Sequence, residues 1–477
     1  MRRAAALFGL VLSGCSLSTL DWTPCVTDAD CHDAFGLGSV CDPQGLCEDA
    51  PDAPRCEAVE PPGWLDDAPL GGDVYVVGAL DDIVDDRAVD RSFALAVRQI
   101  DESGGLGGQD LVLARCDYHP DASIDEQTRE QAALAGAGWL RAALGAQVIL
   151  GPSSSALVGS VWEAYGDQTL LISPSATSPA LTFVDGLDKS DETPGTLWRT
   201  APPDSLQGSA IADDLLAQHA PGVAIVVQTG PYGDGLADTF VAAFQDADHA
   251  VQRFQFDSQS TLTDAITNAG QLSESDYPWV LFISSDLPDA VAFLNAAAVQ
   301  SGYATRGIFL TDGAADVTLL QQTQSASALY PNIRGTRPWT PTGPVYEAYR
   351  ASYAAAYDGE DPAGFAWTAN AYDAGWLAAY ALTWVNWNES PVTPDGMARG
   401  LRRISAGAPV DLRPSGWAAG SAAFEAGETV NVAGASGDLD YDPETEETTA
   451  PLDVWVVDGA QLVTVETCFP DGSCARR

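Results

Sequence analysis

Val148-Ile149-Leu150-Gly151-Pro152-Ser153-Ser154-Ser155 joins a short apolar run, a glycine-proline break and three successive hydroxyls. The apolar run reads as a buried strand, and the serines open a helix, because a serine N-cap satisfies backbone N–H groups that lack a helical partner. Such a helix start favours an anion. The next strand, 170–172, repeats the plan and ends in Ser173-Pro174-Ser175-Ala176-Thr177-Ser178-Pro179, a hydroxyl-rich loop held by prolines. Upstream lie a strand over 74–80 and a helix with Val89, Phe93, Val97 and Ile100 on one stripe, stopped by Gly104-Gly105. A strand over 111–114 and a helix through Leu134, Leu140 and Leu144 follow. This alternation, with near-continuous apolar strands, is the pattern of a parallel sheet covered on both faces.

A second series begins near residue 223. Strands over 223–227, 251–256, 279–283 and 308–310 alternate with helices near 236–244, 262–272, 290–299 and 317–324. Two α/β units joined by the polar stretch 200–205 imply two lobes with a cleft between them. Ligands of open α/β sheets bind beyond the carboxyl ends of the strands, so chemistry is sought at the strand-end loops. In the second lobe these are Gly230-Pro231-Tyr232-Gly233-Asp234-Gly235 and Leu310-Thr311-Asp312-Gly313.

The 477 residues carry 67 acidic against 22 basic side chains, a formal net charge of −45. A nucleic-acid partner is excluded on that balance, since a phosphate backbone needs a basic face. The length suffices for two or three domains with sizeable cores. Met1-Arg2-Arg3 and the apolar stretch 4–12 form the charged and hydrophobic parts of an export signal, too short to span a bilayer. It runs into Leu12-Ser13-Gly14-Cys15, which resembles the lipobox of bacterial lipoproteins and marks Cys15 for acylation. The expected location is the cell envelope, facing the periplasm or on the outer membrane, with the lipid as sole membrane contact. Cys25, Cys31, Cys41, Cys47, Cys56, Cys116, Cys468 and Cys474 are then an even set in an oxidising compartment and are disulfide candidates. Two bridges are expected inside 25–47 and a local one between Cys468 and Cys474. Cys56 and Cys116 remain for each other by elimination, and spacing alone leaves the connectivity open. The Pro/Asp-rich stretch 47–72 reads as a stiff spacer holding the next domain away from the lipid.

Catalytic signatures are largely missing. There is no Gly-x-Ser-x-Gly elbow, phosphate loop or dinucleotide fingerprint, and no histidine pair at metal-binding spacing. Asp438-x-Asp440-x-Asp442 departs from a calcium loop at Pro443 and Thr449. The expectation is therefore no enzyme, no cofactor and no metal. A hydrolase using Ser153 to Ser155 lacks a base readable in sequence.

The motif order resembles the type 1 periplasmic binding proteins of ABC importers, in particular the leucine/isoleucine/valine-binding branch. The resemblance rests on 151–155, 172–179, 198–208, Tyr232-Gly233-Asp234-Gly235, Thr311-Asp312-Gly313, Ala371-Tyr372-Asp373-Ala374 and Gly434-Ala435-Ser436-Gly437, and extends from about residue 73 to about 465. It implies two Rossmann-like lobes with parallel sheets and a three-crossover hinge, plus the small disulfide-rich segment outside the family pattern. The implied division is a signal peptide over 1–14 and the Cys-rich module with its linker over 15–71. Lobe 1 comprises 72–200 and 335–415, lobe 2 comprises 201–334 and 416–467, and 468–477 form a C-terminal cysteine loop. By resemblance, Ser154 or Ser155 and Thr177 hold a ligand carboxylate, and the Ser175 carbonyl and Asp312 receive an ammonium. Ala176 lies in the same loop and Tyr232 lines the cleft. Where the branched-chain binders place a tyrosine, this chain has Ser285-Asp286-Leu287-Pro288, so Asp286 is expected at the side-chain pocket. The implied function is a monomeric, lipid-anchored binder that delivers an amino acid or similar small polar solute to an ABC permease. The alternative is an anchored sensor without a transport role.

Overall fold

The computed structural model describes residues 24–66, 74–246 and 248–477; Cys15 and the export signal lie outside them. An N-terminal module contains α1 (Asp28–Phe35), β1 (Ser39–Cys41) and β2 (Cys47–Asp49). Lobe 1 begins with β3 (Cys56–Glu60), β4 (Val74–Asp81), α2 (Arg87–Glu102), β5 (Asp110–Asp117), α3 (Arg129–Leu144), β6 (Val148–Leu150), α4 (Ser155–Tyr165), β7 (Leu170–Ser173) and β8 (Leu197–Arg199). Lobe 2 follows with α5 (Ser205–Ala217), β9 (Gly222–Gln228), α6 (Pro231–Phe244), β10 (Ala250–Phe256), α7 (Gln259–Gly270), β11 (Trp279–Ile283), α8 (Leu287–Ala297), β12 (Gly307–Leu310), α9 (Thr318–Gln322) and β13 (Ile333–Pro338). The chain returns to lobe 1 for α10 (Pro344–Ala356), α11 (Thr368–Asn388), α12 (Pro394–Leu401), β14 (Ala408–Asp411), α13 (Pro414–Glu425) and β15 (Val430–Ala433). It ends in lobe 2 with β16 (Leu452–Asp458), β17 (Gln461–Cys468) and β18 (Cys474–Arg476).

The lobe 1 sheet runs β3-β5-β4-β6-β7-β8, and the lobe 2 sheet runs β10-β9-β11-β12-β13-β16-β17-β18. Five strands in each are mutually parallel, in the order second, first, third, fourth, fifth. That order reverses direction beside the first strand, creating a switch point in each lobe where loops diverge and leave a crevice. The apolar strands are buried because helices cover both faces. In lobe 1 one cover is α11, which is mostly apolar and buried around its whole circumference over residues 368–385.

Several sequence expectations shift. The boundaries 335–415 and 416–467 do not divide the lobes. Strand β13 pairs with β12 in lobe 2, whereas α13, β14 and β15 belong to the lobe 1 core. The reason is aromatic packing: Trp417 of α13 lies 5.8 Å from Trp376 of α11, and Phe424 lies 5.0 Å from Tyr380. The three crossings therefore fall at 200–204, 339–343 and 442–451. The terminal cysteine loop is a hairpin, β17 with β18, at the edge of the lobe 2 sheet.

The expected spacer is also not free. Strand β3 pairs antiparallel with β5, the Pro51 carbonyl accepts from the Trp139 indole at 3.0 Å, and Arg55 pairs with Asp125 at 2.6 Å. The module itself docks on α3, where Gly38 N–H donates to Ala143 O at 2.7 Å and the His32 ring meets Ala142 O at 2.9 Å. Bridges join Cys25 to Cys41, Cys31 to Cys47, Cys56 to Cys116 and Cys468 to Cys474. Two lie inside the module as expected, and their crossed spacing ties the segment before α1 to β1 and the middle of α1 to β2.

Candidate functional site

Loops from both switch points enclose a cavity of about 390 Å³ between the lobes. Lobe 1 contributes the β4–α2 turn, the start of α3 and the β6–α4 turn; lobe 2 contributes the ends of β9, β11 and β12. Close approach of the loops fixes two glycines. Gly151 has φ +80°, and a Cβ there would meet the Leu80 carbonyl at 2.3 Å; a Cβ on Gly313 would meet the Ser284 carbonyl at 2.3 Å.

Six of the eight expected ligand-binding residues line this cavity: Ser154, Ser155, Ser175, Tyr232, Asp286 and Asp312. Ser154 is the N-cap of α4 with extended backbone, and its side chain caps no N–H of that helix. The Ser155 hydroxyl, 2% exposed as a residue, accepts from Ser178 N–H at 3.2 Å. Ser175 donates to the Ser153 carbonyl at 3.2 Å. Thr177 and Ala176 are not among the lining residues. Thr177 is buried and donates to Asp204 at 2.8 Å, while the Ala176 carbonyl accepts from the Arg199 guanidinium at 2.9 Å. Ser175 therefore faces the cleft, whereas Thr177 is turned toward Asp204 in the first crossing.

Asp312 is the most enclosed carboxylate of the cleft, at 5% exposure. One oxygen accepts from Tyr232 Oη and from Gln207 Nε2, each at 2.6 Å. Burial raises its carboxyl above the ordinary range, opposed by those hydrogen bonds. Burial and the neighbouring Asp312 raise Asp204 well above it too. Two desolvated carboxyl groups thus lie close together, Asp312 in the cleft and Asp204 behind it, and among the described residues no cation lies within ion-pair distance of Asp312.

Several contributors have no motif signal. Arg129, the first residue of α3, bridges Asp85 at 2.5 Å and Asp82 at 3.0 Å in lobe 1, and Asp286 at 3.3 Å in lobe 2. His119 Nδ1 lies 2.9 Å from the same Asp82. Asp286 also accepts from Gln228 at 3.0 Å. Trp367, N-cap of α11, lines the cleft with φ +64°, a conformation that a bulky residue adopts only when its surroundings hold it there. The acidic pair Asp85-Asp86 was reachable from sequence, since it follows the first strand at its carboxyl end.

The lobes touch around the cavity through Arg129 with Asp286, through Ser178 Oγ to Pro231 O at 2.7 Å and through Val317 N–H to Gly364 O at 3.0 Å. Arg129→Ala removes the charged member of this set and leaves three carboxylates facing one another. The expected cost is about 1 kcal/mol, roughly fivefold in favour of the open form. Small-angle scattering of the ligand-free protein would register a larger radius of gyration, and an unchanged radius would mean that this bridge does not hold the lobes.

The paired switch points, interlobe crevice and triple crossing define the type 1 periplasmic binding fold. Residues 88–460 match the family described as receptor family ligand binding region, and the chain belongs to that family. The chemotactic signal transduction system substrate-binding protein BasB of Halobacterium salinarum is 26% identical over 366 residues, 76% of this chain and 80% of that protein. Among solved structures, the leucine-binding protein LivK of Thermotoga maritima superposes with a TM-score of 0.63 at 17% identity, covering 83% of this chain and 99% of that one. LivJ of Streptococcus pneumoniae, solved with isoleucine, gives 0.61 at 17% identity, covering 83% and 100%. A solute-binding protein of R. palustris, solved with 4-hydroxybenzoate, gives 0.61 at 15% identity, covering 83% and 97%.

Proposed function

We propose that this protein is a non-catalytic binder of a small zwitterionic solute, an amino acid or close analogue, held between the lobes and presented to an ABC permease. The observation that carries the reading is the opposition of two charge acceptors across one cavity. On lobe 1 the start of α4 offers backbone N–H groups that the Ser154 side chain does not cap; on lobe 2 Asp312 is buried without a cation. A carboxylate suits the first and an ammonium the second. Ser154 and Ser155 would take the carboxylate side, the Ser175 carbonyl, Asp312 and Tyr232 the ammonium side, and Asp286 the side chain. Family membership supports binding over catalysis. So does the serine cluster, since among the described residues neither Ser153 Oγ nor Ser155 Oγ meets a histidine or lysine. Thr177 leaves the carboxylate set because Asp204 takes its hydroxyl.

Anchoring through an acyl chain on Cys15 belongs to the same proposal, and intact mass of membrane-extracted protein reads it directly. A sensor role stands beside transport because the halobacterial relative is named for chemotactic signalling. The deciding experiment is a thermal-shift screen of amino acids, amides and small organic acids, in which a ligand at 100 times its Kd adds about 2.7 kcal/mol. Stabilisation by organic acids alone, with no amino acid or amine active, would overturn the zwitterion reading.

A further inference from the structure

The lining of the cleft is unbalanced in charge. Five carboxylates, Asp85, Asp86, Asp286, Asp312 and Asp316, face it against two guanidiniums, Arg87 and Arg129. Both guanidiniums already have partners: Arg87 pairs with Glu360 at 2.9 Å, and Arg129 with Asp82, Asp85 and Asp286. Among the described residues Asp86, like Asp312, has no cation within ion-pair distance. A single ligand ammonium on Asp312 would leave Asp86 half-buried and unmatched. Tyr118 and Trp367 line the same cavity, and aromatic faces favour a desolvated cation.

Resting on the solute-binding reading above, we propose that the occupant carries two positively charged nitrogens, one held by Asp312 and the other by Asp86. A dibasic amino acid and a linear diamine share this chemistry. The surroundings of Asp86 are acidic from several elements. Asp81 at the end of β4 and Asp82 and Asp85 in the following turn precede it, Asp286 faces it from lobe 2, and Ser153 lies beside it from the β6–α4 turn. Of the two guanidiniums near this cluster, Arg87 is paired with Glu360 and Arg129 is shared by three carboxylates, with His119 on Asp82 and the Tyr118 hydroxyl nearby. Burial, then Asp82, pushes the Asp86 carboxyl up to about 7. A cation bound there lowers that value, so between the free and bound values the complex holds fewer protons than the free protein. Binding near pH 6 therefore releases a proton, and affinity rises from pH 6 to pH 8.

Calorimetry of the full chain with L-lysine, L-arginine, 1,4-diaminobutane and L-leucine tests this. At least one dication should bind about tenfold tighter than leucine, the scale of one added charge-assisted contact. Its binding heat at pH 6 should vary with buffer ionisation enthalpy, and that of leucine should vary less. Asp86→Asn should weaken the dication at least about fivefold more than leucine. Lysine or arginine binding without the diamine identifies a ligand whose carboxylate is also held; the diamine binding as well means two cations suffice. Leucine binding as tightly as every dication, with no proton release, would overturn this inference and leave the solute-binding reading intact. Failure of all amino acids and amines would overturn that reading itself. The wild-type comparison decides the matter even if the variant is unstable.

Discussion

Asp312→Ala is expected to weaken binding of a zwitterionic or cationic ligand by about 2–5 kcal/mol, the range for truncating one partner of a buried charge pair. That is roughly 30-fold to several-thousand-fold in Kd. The size follows from enclosure. At 5% exposure the ligand ammonium loses its water on closure and has the Asp312 carboxylate as its nearest replacement. The alanine variant also strips an acceptor from Tyr232 and Gln207, at about 1–3 kcal/mol of stability for a buried donor left unpaired. Asp312→Asn separates the two effects, since the amide oxygen still accepts while the charge is gone. It should melt near wild type and bind nearly as poorly as the alanine variant. Calorimetric affinities within threefold of wild type for both variants would remove Asp312 from the site.

The second large effect concerns stability. Cys56 and Cys116 are paired directly across β3 and β5 and lie 60 residues apart, so their bridge closes a long loop in the unfolded chain. The chain-entropy account gives about 4 kcal/mol for such a loop. For the bridge from Cys468 to Cys474, with a separation of 6, it gives about 2 kcal/mol. Replacing Cys56 and Cys116 together by alanine should lower unfolding free energy in denaturant titrations by about twice the loss from the C-terminal pair. It should also loosen the module, because β3 is the strand that connects it to the lobe 1 sheet. Equal losses from the two pairs would show that loop length does not govern their contributions.

The parallel sheets were legible in sequence because strands buried on both faces leave uninterrupted apolar runs, as at Val148-Ile149-Leu150. The loops at their carboxyl ends were legible for the same reason, and Ser154, Ser155, Ser175, Tyr232, Asp286 and Asp312 all reach the cleft. Residues whose place depends on tertiary context were not. Arg129 opens a helix whose start carries no binding motif, and Trp367 arrives from a segment that has already crossed the hinge twice. Which lobe would own α13 was hidden because its small residues suit either core; the choice is made by Trp417 and Phe424 meeting aromatics of α11. Thr177 shows the limit of carrying a role along a loop, since two positions of displacement turn a hydroxyl from cavity to hinge.

The N-terminal module rides on α3 of lobe 1, whereas β18 borders the lobe 2 sheet. Near-terminal segments of one chain are thus fixed to opposite halves of a hinged body. Any rotation between the halves changes the separation of α1 and β18, so a fluorophore on each would serve as a built-in ruler of closure in a single molecule, with neither dye near the cleft.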